Sequence, residues 1–293
     1  MTMIFGYPIQ LIMGQVLIGL INGSLYAMMS LGLAVIFGVL RVVNFAHGAQ
    51  YMMGAFVALM LWQWLGVGYW PALVLVPIIM AIVGIVLERL FLRRLYHIDH
   101  MYGLLATYAL ALIIEGTFRK FFGAAGTAYP NPLPGGINLG FMFLPWYRGW
   151  VVVVSVVICA ATWFAIERTR LGALLRAATE NPVMVRAFGL NVPLIITVTY
   201  GFGVALAAFA GVIAAPIQNV SPQMGSHVIA VIFAVVVIGG MGSILGAIVA
   251  GFLLGIVEGL TKVFYPEGSS IVIFLVMILV LSLRPAGMFG RPT

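Results

Sequence analysis

Residues 187–257 read AFGLNVPLIITVTYGFGVALAAFAGVIAAPIQNVSPQMGSHVIAVIFAVVVIGGMGSILGAIVAGFLLGIV and contain no Asp, Glu, Lys or Arg. A helix of about 20 predominantly apolar residues crosses the ~30 Å hydrocarbon core of a membrane. This stretch is long enough for several such helices, and its Pro and Gly residues mark the breaks between them. It therefore predicts a chain that crosses a bilayer repeatedly.

The composition of the whole chain agrees with this stretch. Of 293 residues, 63% are hydrophobic and 7% are charged, whereas a soluble domain has about 25% charged residues. The formal net charge is +7, but the Arg residues stand in short clusters between apolar runs, as at the cytoplasmic ends of membrane helices. We therefore expect membrane lipid, and no nucleic acid, among the partners.

Charge, Pro and Gly divide the chain into nine candidate spans. These are residues 9–37, 45–65, 71–87, 101–118, 149–166, 192–214, 227–238, 244–260 and 270–283. The seventh is too short to cross alone, and with Gly239–Gly242 it predicts half of a broken or re-entrant helix, which is tolerated where protein or water satisfies the backbone. We predict an all-α, polytopic transmembrane bundle of about eight spans (seven to nine), forming one domain over residues 1–293.

The Arg clusters predict the orientation of the chain in the membrane, and the glycines predict how its helices pack. Arg-rich segments at 89–94, 168–186 and 284–291 are predicted to be cytoplasmic, which places the Pro- and Gly-rich loop 121–147 outside. Glycines at four-residue spacing predict close helix packing in lipid. They are Gly19 and Gly23, Gly242 and Gly246, and Gly251, Gly255 and Gly259.

The loop at residues 167–191 has the densest charge in the chain. Asn181 before Pro182 is an N-cap followed by a favoured first helical residue, and Gly189 suits a helix C-terminus. We predict two short helices joined at Asn181 on the cytoplasmic surface. The first is amphipathic, with Leu171, Leu174, Leu175 and Ala178 on one side and Arg176 and Glu180 on another. Such a helix lies on lipid or docks on another protein.

A polar insert follows the first span, with Asn44, His47 and Gln50 within two helical turns. If the segment is helical, Asn44 and His47 share one face. Polar side chains inside a membrane are costly and face a cavity or one another. Two interpretations remain open, namely hydrogen bonds between helices and a path for solute. The candidates for lining such a path are Tyr26, Asn44, His47, Gln50 and His227.

Four motifs occur in the order typical of one transporter family. They are Asn44-Phe45-Ala46-His47-Gly48, the loop 167–191, Gly239-Gly240-Met241-Gly242-Ser243, and Arg284-Pro285-Ala286-Gly287-Met288-Phe289-Gly290. Together they resemble the branched-chain amino-acid permease family, the hydrophobic amino-acid uptake branch of ATP-binding-cassette importers. The resemblance extends over nearly the whole chain.

The resemblance implies a multi-pass permease subunit in the bacterial inner membrane that takes up small polar solutes, most readily branched-chain or other amino acids. It implies that loop 167–191 is a cytoplasmic coupling loop. The candidate coupling residues are Arg176, Ala178, Glu180, Asn181, Arg186 and Gly189. The implied partners are two ATP-hydrolysing subunits, a second homologous permease subunit and a periplasmic solute-binding protein. The chain is expected to be no enzyme and to hold no cofactor, since it lacks a Gly-Lys-Ser/Thr phosphate loop and ATP would bind the partner subunits.

An ion-coupled secondary transporter is the alternative, and it would need acidic residues inside the membrane. Glu115 and Glu258 qualify, but Arg119 and Lys262 follow them at four-residue spacing and predict ion pairs. Four His residues without haem-ligand spacing and one Cys predict no metal site.

Overall fold

The computed structural model describes residues 3–4, 6–40, 44–95 and 100–290, and most of these residues are helical. The helices are α1 Ile9–Leu40, α2 Ala46–Leu65, α3 Tyr69–Leu90, α4 His100–Phe122, α5 Trp146–Glu167, α6 Arg170–Glu180, α7 Pro182–Ala187, α8 Val192–Ala214, α9 Met224–Gly239, α10 Ile244–Phe264 and α11 Val272–Leu283. Two antiparallel pairs of short strands are also present, β1 Met3–Ile4 with β2 Tyr7–Pro8, and β3 Gly136–Asn138 with β4 Phe143–Pro145.

Six of the described helices are long and apolar enough to cross a membrane, namely α1, α3, α4, α5, α8 and α10. The apolar helices α9 and α11 are shorter. The predicted all-α polytopic bundle is therefore confirmed, with six full-length spans and two shorter apolar helices.

Helix starts differ from the predicted boundaries where a side chain or a turn caps the helix. Asn44 stands outside α2, because its side-chain Oδ1 accepts a hydrogen bond from the Ala46 N–H at 3.1 Å. The face that Asn44 and His47 would share in a continuous helix is thus absent. The short α9 begins at Met224, three residues before His227.

The chain divides into two compact units, one formed by residues 1–30, 131–160 and 231–293, the other by residues 31–130 and 161–230. In the first unit α1 packs closely against α10. A Cβ at Gly19 would lie 3.1 Å from the Ile256 Cα, and one at Gly23 would lie 3.0 Å from the Gly251 carbonyl oxygen. The close packing predicted from the glycine spacing is confirmed at this crossing.

A short helix that ends at Gly239 is confirmed in the same unit, and its assignment as half of a broken or re-entrant helix stays a prediction. After α9 the chain turns through Gly240 and Gly242, which have φ of 105° and 84°. The C-terminal segment supplies donors for the free end of α9, since the N–H groups of Met288 and Phe289 donate to the carbonyls of Ile238 and Gly239 at 2.8 and 3.0 Å. The Gly239–Ser243 and Arg284–Gly290 motifs therefore form one structural element, in which the Arg284–Gly290 segment caps the C-terminal end of α9.

Substituting Gly240 by Ala is expected to destabilise the protein by about 1–3 kcal/mol. A Cβ there would require an unfavourable positive φ and would lie 2.5 Å from the Gly290 nitrogen. Gly140→Ala is the matched control, because Gly140 has a φ of 79° with no atom within 4 Å. The thermal unfolding midpoint in detergent should fall more for Gly240→Ala. Equal shifts would show that backbone strain alone matters and that the tail contact adds nothing.

In the second unit α8 packs closely against α2 and α3. A Cβ at Gly54 of α2 would lie 2.5 Å from the Cα of Ala208, and one at Gly84 of α3 would lie 2.8 Å from Val204 Cγ2. Small residues let these backbones approach closely.

The turn-rich segment that follows α4 is ordered within the second unit, as its sequence predicts. Thr127 and Val220 exchange backbone hydrogen bonds at 3.0 and 2.9 Å. The buried Tyr129 ring packs near Trp62 and Tyr69, with centroid distances of 6.0 and 6.5 Å. Burial, reinforced by Tyr69, raises the pKa of Tyr129 to about 12, so this phenol stays neutral at physiological pH.

Candidate coupling site and buried polar contacts

The loop 167–191 forms the two predicted short helices, α6 and α7. The Asn181 side chain caps α7 by accepting a hydrogen bond from the Met184 N–H at 2.9 Å. Gly189 follows α7 with a φ of 81°, and its N–H donates to the Arg186 carbonyl at 2.9 Å. Asn191 caps α8 in the same way, through the Leu194 N–H at 3.1 Å. The helix boundaries predicted at Asn181 and Gly189 are confirmed.

One side of this helix pair is buried against the start of α8. Ala178, Val185 and Val192 form a small core, against which Ile195 and Ile196 also pack. Ala178, predicted as a coupling residue, therefore joins α6 and α7 to α8. The consequence is that α6 and α7 are attached to a membrane helix rather than suspended in a free loop.

The start of α6 is held against the end of α5. Arg176 donates to the Ile166 carbonyl at 3.0 Å and pairs with the Glu167 carboxylate at 3.5 Å. Gly172 is buried, and a Cβ there would overlap the Ile166 carbonyl oxygen. The structure therefore requires glycine at position 172, which the sequence analysis did not recognise. The available signal was a glycine, a poor helix former, within the helical stretch Leu171-Gly172-Ala173.

Part of the helix pair outside this core is exposed and apolar. Large side chains protrude there, with 69% of Leu171, 74% of Val183, 56% of Met184 and 73% of Phe188 accessible. Glu180 and Arg186 are also exposed. We call Leu171, Val183, Met184 and Phe188 the apolar docking face. Sequence reasoning chose the charged residues of this loop and missed Val183, Met184 and Phe188, because α7 is too short for an apolar period to be recognised.

The predicted pathway residues Asn44 and Gln50 meet at one tyrosine. The Tyr200 hydroxyl oxygen on α8 accepts hydrogen bonds from Asn44 Nδ2 at 3.1 Å and from Gln50 Nε2 at 2.6 Å. All three side chains are buried. The arrangement favours the interhelical hydrogen-bond interpretation for these two residues. Tyr200 was missed because it stands inside the uncharged stretch, where only its phenol group signals a polar contact.

Replacing Tyr200 by Phe is expected to destabilise the protein by about 2–4 kcal/mol, because two buried amides lose their acceptor. Tyr108→Phe is the control, since half of that side chain is exposed. Thermal unfolding of both variants in detergent measures the difference. A Tyr200→Phe midpoint equal to that of Tyr108→Phe would show that the phenol oxygen contributes nothing.

The remaining pathway candidates lie in three different environments. His47 is buried, and its imidazole ring packs against Gly32. A Cβ added at Gly32 would lie 2.9 Å from His47 Cε1. His227 is exposed on the first turn of α9. In the first unit, Tyr26 donates a hydrogen bond to Glu258 Oε2 at 2.8 Å. The assignment of these residues to a solute pathway stays a prediction.

The ion pairs predicted at helical spacing are confirmed. Arg119 contacts Glu115 at 2.8 Å, and Lys262 contacts Glu258 at 2.6 Å. Among the described residues, no three His, Cys, Asp or Glu side chains are grouped so as to hold a metal ion. Glu88 on α3 is a buried acid that the sequence analysis did not name, and it stands directly before the Arg-rich segment 89–94.

Comparison with known proteins adds the family. A family model described as "Branched-chain amino acid transport system / permease component" matches residues 15–281. The chain belongs to this family. It is therefore a transport permease component, as the four motifs predict, and the family is not one of enzymes. Its apolar helices make it a multi-pass membrane protein.

Individual members of the family cover nearly the whole chain. The high-affinity branched-chain amino acid transport system permease protein BraD of Pseudomonas aeruginosa is 31% identical, over 95% of each chain. The corresponding protein LivH of Escherichia coli K12 is 28% identical, again over 95% of each chain. LivM of Salmonella typhimurium is 26% identical over 90% of this chain and 67% of its own. No solved structure matches the chain significantly.

Proposed function

We propose that this permease takes up branched-chain amino acids into a bacterial cell, as one membrane subunit of an ATP-driven importer. Membership of the permease family and the names of BraD and LivH as branched-chain amino acid permeases support this solute class. The inner membrane is the proposed location. The chain binds no cofactor in this proposal, because ATP binds other subunits.

The apolar docking face is the observation that supports an ATPase partner most strongly. An exposed apolar surface on a membrane protein's predicted cytoplasmic side, beside the charges of Glu180 and Arg186, has the anatomy of a protein interface. The same helix pair is packed on α8 through Ala178 and Val185. We propose two ATPase subunits, one of which binds this face. When ATP binding closes the ATPase subunits, the bound subunit moves α6 and α7, and these helices move α8.

A second permease subunit and a solute-binding protein complete the proposed complex. LivM and LivH are both permease proteins of high-affinity branched-chain amino acid transport systems, and this chain resembles both. We therefore propose a homologous but different permease as the partner. A periplasmic solute-binding protein delivers the amino acid on the outer side.

Uptake of radiolabelled leucine into proteoliposomes containing the complete complex tests this function. We expect that uptake requires ATP on the side of the membrane where the ATPase subunits lie. Uptake should continue in the presence of a protonophore. Excess isoleucine and valine should compete with leucine, whereas urea should not. Uptake that stops with the protonophore and persists without ATP would overturn the proposal in favour of an ion-coupled transporter.

A further inference from the structure

Glu88 is a buried carboxyl group at the end of α3 that belongs to none of the four family motifs. Only 1% of the residue is exposed, and its Oε2 lies 2.8 Å from Oγ1 of Thr197 on α8, which is 2% exposed. Burying a carboxyl group away from water costs free energy unless polar groups contact it. A buried acid in a membrane protein therefore points to a structural or functional role. The pair joins two helices that are distant in sequence.

The Thr197 hydroxyl has a choice of partner. Besides Glu88, its Oγ1 lies 2.9 Å from the Pro193 carbonyl oxygen, one turn earlier on α8. A hydroxyl group has a single hydrogen and donates one hydrogen bond at a time. Thr197 can therefore turn from Glu88 to Pro193 while it keeps a donor bond. If α8 moves away from α3, the loss of the Glu88 contact would thus leave the Thr197 hydroxyl paired, which is what a link that opens and closes requires.

The link lies directly beyond the coupling helices. Val192, Ile195 and Ile196, in the first turns of α8, pack on the core formed with Ala178 and Val185. Thr197 is the next residue along α8. A rotation or tilt that α6 and α7 impose on the start of α8 therefore reaches Thr197 before it reaches the closely packed region at Gly201 and Val204.

We propose that the Glu88–Thr197 hydrogen bond is a switchable link that passes the movement of α6 and α7 from α8 to α3, which makes Glu88 a positioning residue for transport. This inference rests on the proposed function, since it requires an ATPase that moves the coupling helices. Glu88 acts by joining α3 to α8 in one conformation of the cycle. Its loss should separate ATP hydrolysis from solute movement rather than prevent assembly.

The test compares the amount of leucine transported per ATP hydrolysed by reconstituted complexes. Thr197→Val removes the hydroxyl with little change of shape, and Glu88→Met removes the carboxyl group. Thr199→Val is the matched control, because among the residues that the structure describes the buried Thr199 hydroxyl bonds only to the Ile195 carbonyl of its own helix, at 2.8 Å. Thr197→Ser and Glu88→Gln are the conservative variants, since both retain a hydrogen-bonding group.

We expect Thr197→Val and Glu88→Met each to lower the ratio about tenfold, within the usual range of coupling between sites. The double variant should lose no more than either single variant, because both remove the same contact. Thr199→Val, Thr197→Ser and Glu88→Gln should stay within about twofold of the wild type. A generally damaged fold would instead lower the ratio for Thr199→Val as well.

Two different results would separate this inference from the proposed function. If the wild-type complex transports leucine with ATP and keeps its ATPase subunits, but Thr197→Val and Glu88→Met retain the full ratio, the link has no role in coupling and the inference is overturned. If no ATPase subunit binds the wild-type permease, the proposed function fails first, and the inference falls with it.

Discussion

Replacing Val183 and Phe188 together by Asp is expected to weaken ATPase binding by about 100-fold or more, which corresponds to about 2.7 kcal/mol. Both side chains are about three-quarters exposed in the permease alone. In the proposed complex they are buried anchors, and each introduced carboxylate would lie unpaired in an apolar interface. Binding of purified ATPase to the permease in nanodiscs measures the loss.

The exposure of these residues makes the experiment specific for docking. Side chains that contact solvent contribute little to folding, so the thermal midpoint of the double variant should stay near that of the wild type. Val183→Ile with Phe188→Leu is the matched control, because it keeps the face apolar. An affinity that changes less than threefold in the Asp variant would exclude this face from the interface.

Replacing Gly255 by Leu is expected to prevent α1 and α10 from packing and to destabilise the first unit by about 3 kcal/mol or more. A Cβ at Gly255 would overlap backbone atoms of Gly19 and Gly23, so no side-chain rearrangement can accommodate it. Without close backbone contact these helices lose the packing that associates helices in lipid. The yield of folded, monodisperse protein in detergent should fall sharply.

A smaller substitution keeps this prediction measurable if the Leu variant does not fold. Gly255→Ala should lower the thermal midpoint, whereas Gly116→Ala on α4 should not, since no atom lies within 4 Å of a Cβ there. The helix propensity of Ala exceeds that of Gly by up to about 1 kcal/mol, and this gain stabilises both variants equally. Equal midpoints for the two variants would contradict the close crossing of α1 and α10.

The sequence was sufficient to predict the helices, because each membrane helix must satisfy its own backbone hydrogen bonds and therefore leaves a long apolar run. It was sufficient for Asn181 and Gly189 too, since a cap depends on one or two local residues. The glycine spacing on α1 and α10 predicted close packing but not the partner of each helix. Pairings between distant segments have no local signature.

The contacts at the candidate site show the same limit. Asn44 and Gln50 were recognised as unusual polar residues in a membrane, but their common partner Tyr200 lies about 150 residues later, and only the folded chain brings it close. Glu88 was hidden by the neighbouring Arg residues, because a charge before a cytoplasmic cluster resembles a solvated one. The capping of α9 by Met288 and Phe289 likewise joins two motifs that the sequence presents separately.

The central claim, that α6 and α7 receive the ATPase, is tested most directly by disulfide-independent cross-linking from a single cysteine. Met184→Cys places the thiol on the apolar docking face, and Asn138→Cys places it in the loop predicted outside; native Cys159 is buried and is replaced by Ala in both. With a short maleimide–benzophenone cross-linker, whose maleimide forms a thioether with the introduced cysteine and whose photoactivated benzophenone inserts into a C–H bond of the neighbouring subunit, we predict a permease–ATPase product from Met184→Cys and none from Asn138→Cys. An intact complex that gives no such product from Met184→Cys, or gives it equally from Asn138→Cys, would contradict the account.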